Sequence, residues 1–269
     1  MKNSNISKLQ DNIMEAVILA AGLGKRLREV VKGPKFALKV EGLPLIYYPI
    51  LTLANVGVRK FVVVVARKFY NIARNVVRNL EERYGLEIVL IENPCPEKGN
   101  GYTFLLARES IVGEKFFVSM CDHIYSKSIP LEIMKTMVKS NADVVVGADS
   151  SPKFIAIEEA TKIYADEKGN IVKIGKNIEK YNYIDLGVFM IKRNVLDKVI
   201  DLKSKVHVSF SDIIAEAARK KCKVIIAEIK QGLWTDIDTP KDLEELLRGK
   251  RRTVLNFVLR EVLELAKKA

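Results

Sequence analysis

Residues 61–66, Phe-Val-Val-Val-Val-Ala, limit what this chain can fold into more than any other stretch. An unbroken β-branched run of this kind suits a strand buried on both faces, and such strands belong to parallel sheets covered by helices on each side. The flanking sequence agrees. Phe69, Ile72, Val76 and Leu80 recur at helical spacing and Gly85 ends the helix. Further strands are predicted over 16–21, 86–91, 116–120 and 143–148, with a short helix over 102–108 after a loop at 92–101. This βαβα rhythm predicts an α/β fold: a single Rossmann-like domain whose mostly parallel sheet is flanked by helices. Ligands then sit at the carboxyl ends of the strands.

The second half changes character. Strands are predicted over 155–164, 169–174 and 183–191, with a hairpin turn at 167–170, giving a β-rich, acceptor-binding insertion at about 150–192 within a domain spanning 1–248. Ser209 or Ser211 caps a helix running to Arg219, a late strand covers 223–229, and a helix covers 240–247. A C-terminal amphipathic helix occupies 249–269. Leu255, Val258, Leu259, Val262 and Leu265 form one face of it, to pack on the same domain or to make a dimer contact.

Composition removes several function classes. With 48% hydrophobic residues the chain is globular, and its apolar runs are too short to cross a bilayer. The polar start, 1–12, has no apolar signal core, which predicts a cytoplasmic protein without membrane insertion. Cys95, Cys121 and Cys222 form neither a zinc pattern nor a disulfide framework. The net charge of +12 is spread along the chain and not interleaved with aromatics, so it argues for polyanionic small substrates and against nucleic acid. Abundant Lys, Glu, Ile and Val fit a thermophile.

The first strand runs into the turn that carries the chemistry. Leu19, Ala20, Ala21, Gly22, Gly24 and Lys25 can wrap a triphosphate with free N–H groups, and Arg26 and Lys35 add positive charge before an apolar helix start at Pro44. The dinucleotide fingerprint is excluded because its third glycine position is Leu27. The P-loop is excluded by Leu19 and Arg26 at its required glycine and hydroxyl positions. Asp122 follows an apolar strand, and Asp236 and Asp238 share a face if their segment is extended. Together these carboxylates suit Mg²⁺, which takes a few carboxylates plus substrate phosphates. In the 94–103 loop, Gly99 and Gly101 allow close approach and Asn100 offers a donor and an acceptor to a base edge. Glu159 and Lys176, on the β-rich part, suit a phosphorylated polyol.

The run L-A-A-G-x-G-x-R followed by P-K resembles the signature of nucleotidyltransferases that activate phosphorylated sugars and alcohols. Residues 14–247 resemble, more narrowly, the CTP:inositol-1-phosphate cytidylyltransferases, through P-E-K-G-N-G-Y-T at 96–103, D-H-I-Y at 122–125, E-A-T-K-I at 159–163, K-I-G-K at 173–176 and L-W-T-D-I-D-T at 233–239. The resemblance implies that CTP and L-myo-inositol 1-phosphate give CDP-inositol and pyrophosphate with Mg²⁺, toward di-myo-inositol phosphate, a compatible solute. It implies that Gly99, Asn100 and Gly101 read cytosine and that Asp122 holds metal with Asp236 or Asp238. Glu159, Lys176 and Asp185 would face the inositol phosphate. In several such relatives a membrane-embedded synthase domain follows in the same chain; here the functional link would be to a separate synthase, with a monomer or homodimer as the soluble unit. Lys25, Cys121 and Asp185-Leu186-Gly187 depart from the family pattern. Alternatives are a related transferase for phosphocholine, with an aromatic cage drawn from Tyr125, Tyr164, Tyr181, Tyr183 and Trp234, or for a sugar 1-phosphate with UTP or dTTP, a glycosyltransferase with Asp236-Ile237-Asp238 as its D-x-D, and a silent regulatory subunit.

Overall fold

The computed structural model describes residues 14–230 and 232–266; the polar segment 1–12 and positions 267–269 of the C-terminal segment expected to be helical lie outside them. The chain starts with β1 (Met14–Ala20), crosses the glycine turn and forms a small hairpin, β2 (Lys39–Val40) and β3 (Leu43–Pro44), before helix α1 (Tyr47–Asn55). Next come β4 (Val58–Ala66), α2 (Tyr70–Tyr84), β5 (Glu87–Asn93), α3 (Asn100–Leu106), β6 (Lys115–Met120), β7 (His123–Tyr125), α4 (Ser128–Ser140) and β8 (Val144–Asp149). The remainder is β9 (Lys162–Ala165), β10 (Ile171–Gly175), β11 (Tyr183–Lys192), α5 (Asn194–Val199), α6 (Phe210–Arg219), β12 (Val224–Glu228), β13 (Trp234–Asp236), α7 (Pro240–Arg248) and α8 (Arg252–Ala266).

The main sheet runs β12-β8-β11-β6-β1-β4-β5. All its pairings are parallel except those of β11, which is antiparallel to both β6 and β8. Every residue of β1 is buried, with Val17 in register between Val62 and Val118. Alternation sends Ala16, Ile18 and Ala20 into one core with Ile50, Val77, Ile133 and Val258; Val17 and Leu19 enter the other with Phe104, Leu196 and Ile213. Helices therefore cover both faces, as the run at 61–66 requires.

The β-rich part is continuous with this sheet. The β9–β10 hairpin joins it along the start of β11, with Tyr183 opposite Ile163. Its turn forms where expected: Gly169 has φ +80°, and the Asp166 carboxylate accepts from the Lys168 and Asn170 N–H groups at 2.9 and 2.8 Å. The strand expected over 155–164 is only Lys162–Ala165, since Ile157–Glu159 turns as a 3₁₀ segment against the cleft. Pro44 lies in β3 and α1 starts at Tyr47, because the turn at Glu41–Gly42, both at positive φ, sends the chain back on itself first. On α2 the buried face is Ala73, Val77 and Leu80, and Ile72 is exposed. Helix α4, which the sequence reading lacked, begins with Pro130 in its first turn and buries Ile129, Ile133, Met134 and Met137. Helix α8 packs on α1 through Val254, Leu255, Val258 and Val262, and the Glu261 carboxylate accepts from the Lys127 N–H at 2.9 Å.

Candidate active site

A cleft of about 890 Å³ opens over the carboxyl ends of β1 and β6. Its floor is built by the turn after β1. Gly24 takes the left-handed conformation at φ +59°, and the Leu27 N–H closes a 3₁₀ turn onto the Gly24 carbonyl at 3.1 Å. Leu27, which excludes the dinucleotide fingerprint, is buried and anchors this turn to the core. Pro34 is extended and Phe36 is buried, so the chain between them holds Lys35 facing the cleft.

Lys35 and Arg26 meet carboxylates from distant elements. Lys35 Nζ donates to Asp122 Oδ2 at 2.6 Å and to Asp238 Oδ1. Arg26 donates to the other oxygen of Asp238 at 2.8 Å and to Glu159. Burial works against the Lys35 charge, but Asp122 and Asp238 outweigh it and hold its pKa well above the ordinary lysine value. Burial likewise opposes ionisation of Asp122, and Lys35 and His123 reverse that, leaving its pKa far below the usual carboxylate range.

The aspartates converge because of a two-stranded sheet that the sequence did not reveal. Strand β13 pairs with β7, placing Asp236 opposite His123, and the Ile237 N–H donates to the Asp122 carbonyl at 3.2 Å. His123 Nδ1 lies 2.6 Å from Asp122 Oδ1, and its ring stacks on Trp234 with centroids 6.2 Å apart. Burial disfavours its charge, yet the hydrogen bond and charge of Asp122, with Asp236 and Asp238 nearby, raise it to about 9. Asp236 is raised above the usual range by burial and by the like charges of Asp238 and Asp122, against the pull of His123.

Of the sequence-predicted site residues, Leu19, Ala21, Gly22, Gly24, Lys25, Arg26, Lys35, Gly99, Asn100, Asp122, Glu159, Lys176, Asp185, Asp236 and Asp238 all line this cleft. Ala20 and Gly101 do not. Ala20 ends β1 with its side chain in the core. At Gly101 an added Cβ would lie 2.3 Å from the Ser209 carbonyl oxygen, and its N–H donates to the Val208 carbonyl at 2.9 Å. The close approach that Gly101 permits is therefore to segment 208–209 of the chain itself. Gly99 is similar: it has φ +94°, and a Cβ there would lie 2.4 Å from the Val208 carbonyl oxygen. Asn100 also has less to offer than expected. Its Oδ1 accepts from the Phe210 N–H at 2.7 Å, and its amide nitrogen, which donates weakly to Met120 Sδ at 3.9 Å, keeps one N–H for a ligand.

The opposite wall comes from the β9–β11 part. Glu159 sits on the 3₁₀ turn before β9, and Lys176 follows β10. Asp185 begins a bulge in β11 where Gly187 reaches φ +69°; its Oδ1 accepts from the Gly187 N–H at 2.8 Å. A Cβ at Gly187 would lie 2.7 Å from His123 Nε2, so D-L-G lets β11 pass close to that ring. Burial pushes Asp185 up to about 6, despite the Gly187 N–H and His123. Of the aromatic residues proposed as a choline cage, Trp234 alone lines the cleft; Tyr164 and Tyr181 are covered by Lys180 and Lys162 instead.

The carboxylates fit a hard divalent cation. Asp122 and Asp238 converge on one cationic atom, and burial and their like charges raise Asp236 beside them, against the pull of His123 and Arg251. Among the described residues no cluster of three or more His, Cys, Asp or Glu side chains has the geometry to hold an ion by itself. His207, Ser211 and Asp212 line the cleft beside Asn100 and were not anticipated; a lone histidine and a helix cap gave no signal.

The bifunctional IPC transferase and DIPP synthase of Aquifex aeolicus is 35% identical over 245 residues, covering 90% of this chain and 53% of that protein. The protein of the same description from Thermococcus kodakarensis is 34% identical over 246 residues, covering 90% of this chain and 51% of that protein. The chain thus spans about half the length of these curated relatives. The structure of the inositol-1-phosphate CTP transferase from T. maritima superposes with a TM-score of 0.81 at 30% identity, covering 92% of this chain and 97% of that one. Residues 15–252 match the nucleotidyl transferase family, and the chain belongs to that family.

Proposed function

We propose that this chain transfers the cytidylyl group of CTP to L-myo-inositol 1-phosphate, giving CDP-inositol and pyrophosphate. The observation that carries the reading is the convergence of Arg26 and Lys35 with Asp122 and Asp238 between a nucleotide wall and an acceptor wall. The substrate pair is supported by the name of the T. maritima structure, which this chain covers almost entirely.

An oxygen of the acceptor phosphate attacks the α-phosphorus of CTP. The bond from that phosphorus to the bridging oxygen breaks, and pyrophosphate leaves with the electron pair. The attacking phosphate is already anionic, so alignment and charge neutralisation suffice, without a protein nucleophile. Gly22, Gly24 and Lys25 approach the triphosphate, and Leu19 and Ala21 flank it. Arg26 neutralises the leaving phosphates, and Lys35 holds the α-phosphate and the acceptor phosphate. The two cations exchange carboxylate oxygens for phosphate oxygens as the substrates enter. Gly99 and the Asn100 amide face the base. Glu159 and Asp185 accept hydrogen bonds from the polyol, and Lys176 meets its phosphate. Asp122, with Asp238 and Asp236, would hold Mg²⁺, which screens charge on the nucleotide phosphates when bound.

Among the described residues no helix is long and apolar enough to cross a membrane. The product would pass to a DIPP synthase, an activity that the names of the half-covered relatives carry. The test is pyrophosphate release at high temperature with Mg²⁺, pairing CTP, UTP, dTTP and ATP with inositol 1-phosphate, phosphocholine and glucose 1-phosphate. Release confined to CTP with inositol 1-phosphate is expected. Preference for another pair would sink the substrate assignment.

A further inference from the structure

Arg251 lies at the junction of α7 and α8, exposes 6% of its side chain, and has no part in the chemistry above. Its guanidinium is divided between Thr235 and Asp236 on one side and Asp242 on the other. One nitrogen donates to the Asp236 carbonyl at 2.8 Å and to the Thr235 hydroxyl at 3.3 Å, with Asp236 Oδ1 at 3.4 Å. The other pairs with Asp242 Oδ1 at 2.7 Å. The remaining oxygen of Asp242 accepts from the Asp238 N–H at 3.1 Å and from the Thr239 N–H and hydroxyl at 2.8 Å each. One buried side chain thus grips both ends of segment 235–239, directly at 235–236 and through Asp242 at 238–239.

That segment carries two of the three aspartates read as the cation site, Asp236 and Asp238. Arg251 is in turn fixed by the final helix: its carbonyl accepts from the Val254 and Leu255 N–H groups at 3.0 and 3.3 Å, and both of those side chains are buried in the core. We propose that Arg251 is a positioning residue for nucleotidyl transfer, a strut that ties the Asp236–Asp238 segment to α8 and sets the site's hold on a divalent cation. The inference rests on reading Asp122, Asp236 and Asp238 as the cation site. The arginine is specific to the task. Its planar fork serves two acceptors at once, whereas the single ammonium of lysine is a point charge on a flexible stem. Methionine would fill the space but leave Asp242 buried without its cationic partner.

The test compares Arg251→Lys and Arg251→Met in the whole chain, with Arg252→Met as the control. Arg252 is 47% exposed and pairs with Glu41. Melting temperature fixes an assay temperature at which each protein is folded. Calorimetry then measures Mn²⁺ affinity with CTP present and acceptor absent, and pyrophosphate release gives kcat and the KM for inositol 1-phosphate. Arg251→Lys should lose about 10-fold and Arg251→Met about 100-fold in cation affinity and kcat, the range for losing a partner behind a metal ligand. The KM for inositol 1-phosphate and the control should stay at wild-type values. Should Arg251→Met not fold, Arg251→Lys decides. A folded Arg251→Lys protein with wild-type cation affinity and kcat would overturn the proposal. Absence of release by the wild type would instead overturn the substrate reading, and the calorimetric arm would still judge Arg251.

Discussion

Lys35 exposes 11% of its side chain and is held by two carboxylates from other elements, whereas Glu159, across the cleft, exposes 54% and pairs with Arg26. The proposed nucleotide wall holds Lys35, Asp122 and Asp238 partly buried and paired together, fixed by neighbours such as Leu27 and Phe36, with Arg26 exposed at its rim. The acceptor wall, from Glu159 through Lys176 to Asp185, is built on a turn, a loop and a bulge. Charges away from water act strongly and resist rearrangement, while exposed pairs are screened and weak. The first wall can therefore carry a chemistry common to many nucleotidyl transfers, and the second can change its acceptor at little cost to the fold.

The largest expected effect falls on the buried wall. Lys35→Met should lower kcat by about 10²- to 10³-fold, as for removal of a transition-state donor. It should also lower the melting temperature, because Asp122 and Asp238 lose their shared counter-ion. Pyrophosphate release and thermal melting check both. Asp238→Asn should cost more activity than Asp236→Asn, since Asp238 touches both Arg26 and Lys35. Equal losses would break the distinction between them. On the acceptor wall, Glu159→Gln and Lys176→Ala should act mainly on the KM for inositol 1-phosphate, by roughly 10-fold, the scale of one lost charge-assisted hydrogen bond. A kcat loss at Glu159 as deep as that at Lys35 would show that the two walls do not divide the work in this way.

Much of this contrast was legible in the sequence, for physical reasons. The β-branched run at 61–66 dictates a parallel sheet, and the glycine turn with Arg26 and Lys35 declares its chemistry because local spacing alone brings those groups together. What stayed hidden depends on pairing between distant segments. Nothing local announces that β13 joins β7 to bring Asp236 against His123, or that Arg251 reaches back to hold them. Gly101 shows the opposite error: its glycine is required, but by the Ser209 backbone and not by a ligand.

The walls should also titrate apart. His123, raised from 6.5 to about 9, contributes stability that is complete below pH 6.5 and is lost as pH rises through 9. Asp185, raised from 3.8 to about 6, retains its proton in the folded state across that interval, so its contribution is complete below pH 3.8 and is lost by pH 6. Both signs are the same and the windows are separate. Thermal melting of cation-free protein across pH 3.5 to 9.5 should show two falling steps. His123→Gln should remove the upper step and Asp185→Asn the lower; removal of both by one variant would mean that the walls are coupled.

The smallest effect gives the finest comparison, because the same local device occurs on two sides of the cleft. Ser209 caps α6 and Thr239 caps α7, each in a reciprocal box with an aspartate three residues on, Asp212 and Asp242. Ser209→Ala and Thr239→Ala should each cost about 1 kcal/mol of stability, the usual worth of such a cap. Their catalytic consequences should differ. The Thr239 box shares Asp242 with Arg251 and sits directly beneath Asp238, so its loosening should reach kcat. The Ser209 box adjoins Asn100, so its loosening should appear in the KM for CTP with kcat intact. Chemical denaturation paired with steady-state kinetics separates the two. If both variants lost kcat in proportion to stability, position relative to the carboxylates would not matter, and the rigidity ascribed to the nucleotide wall would belong to the whole fold.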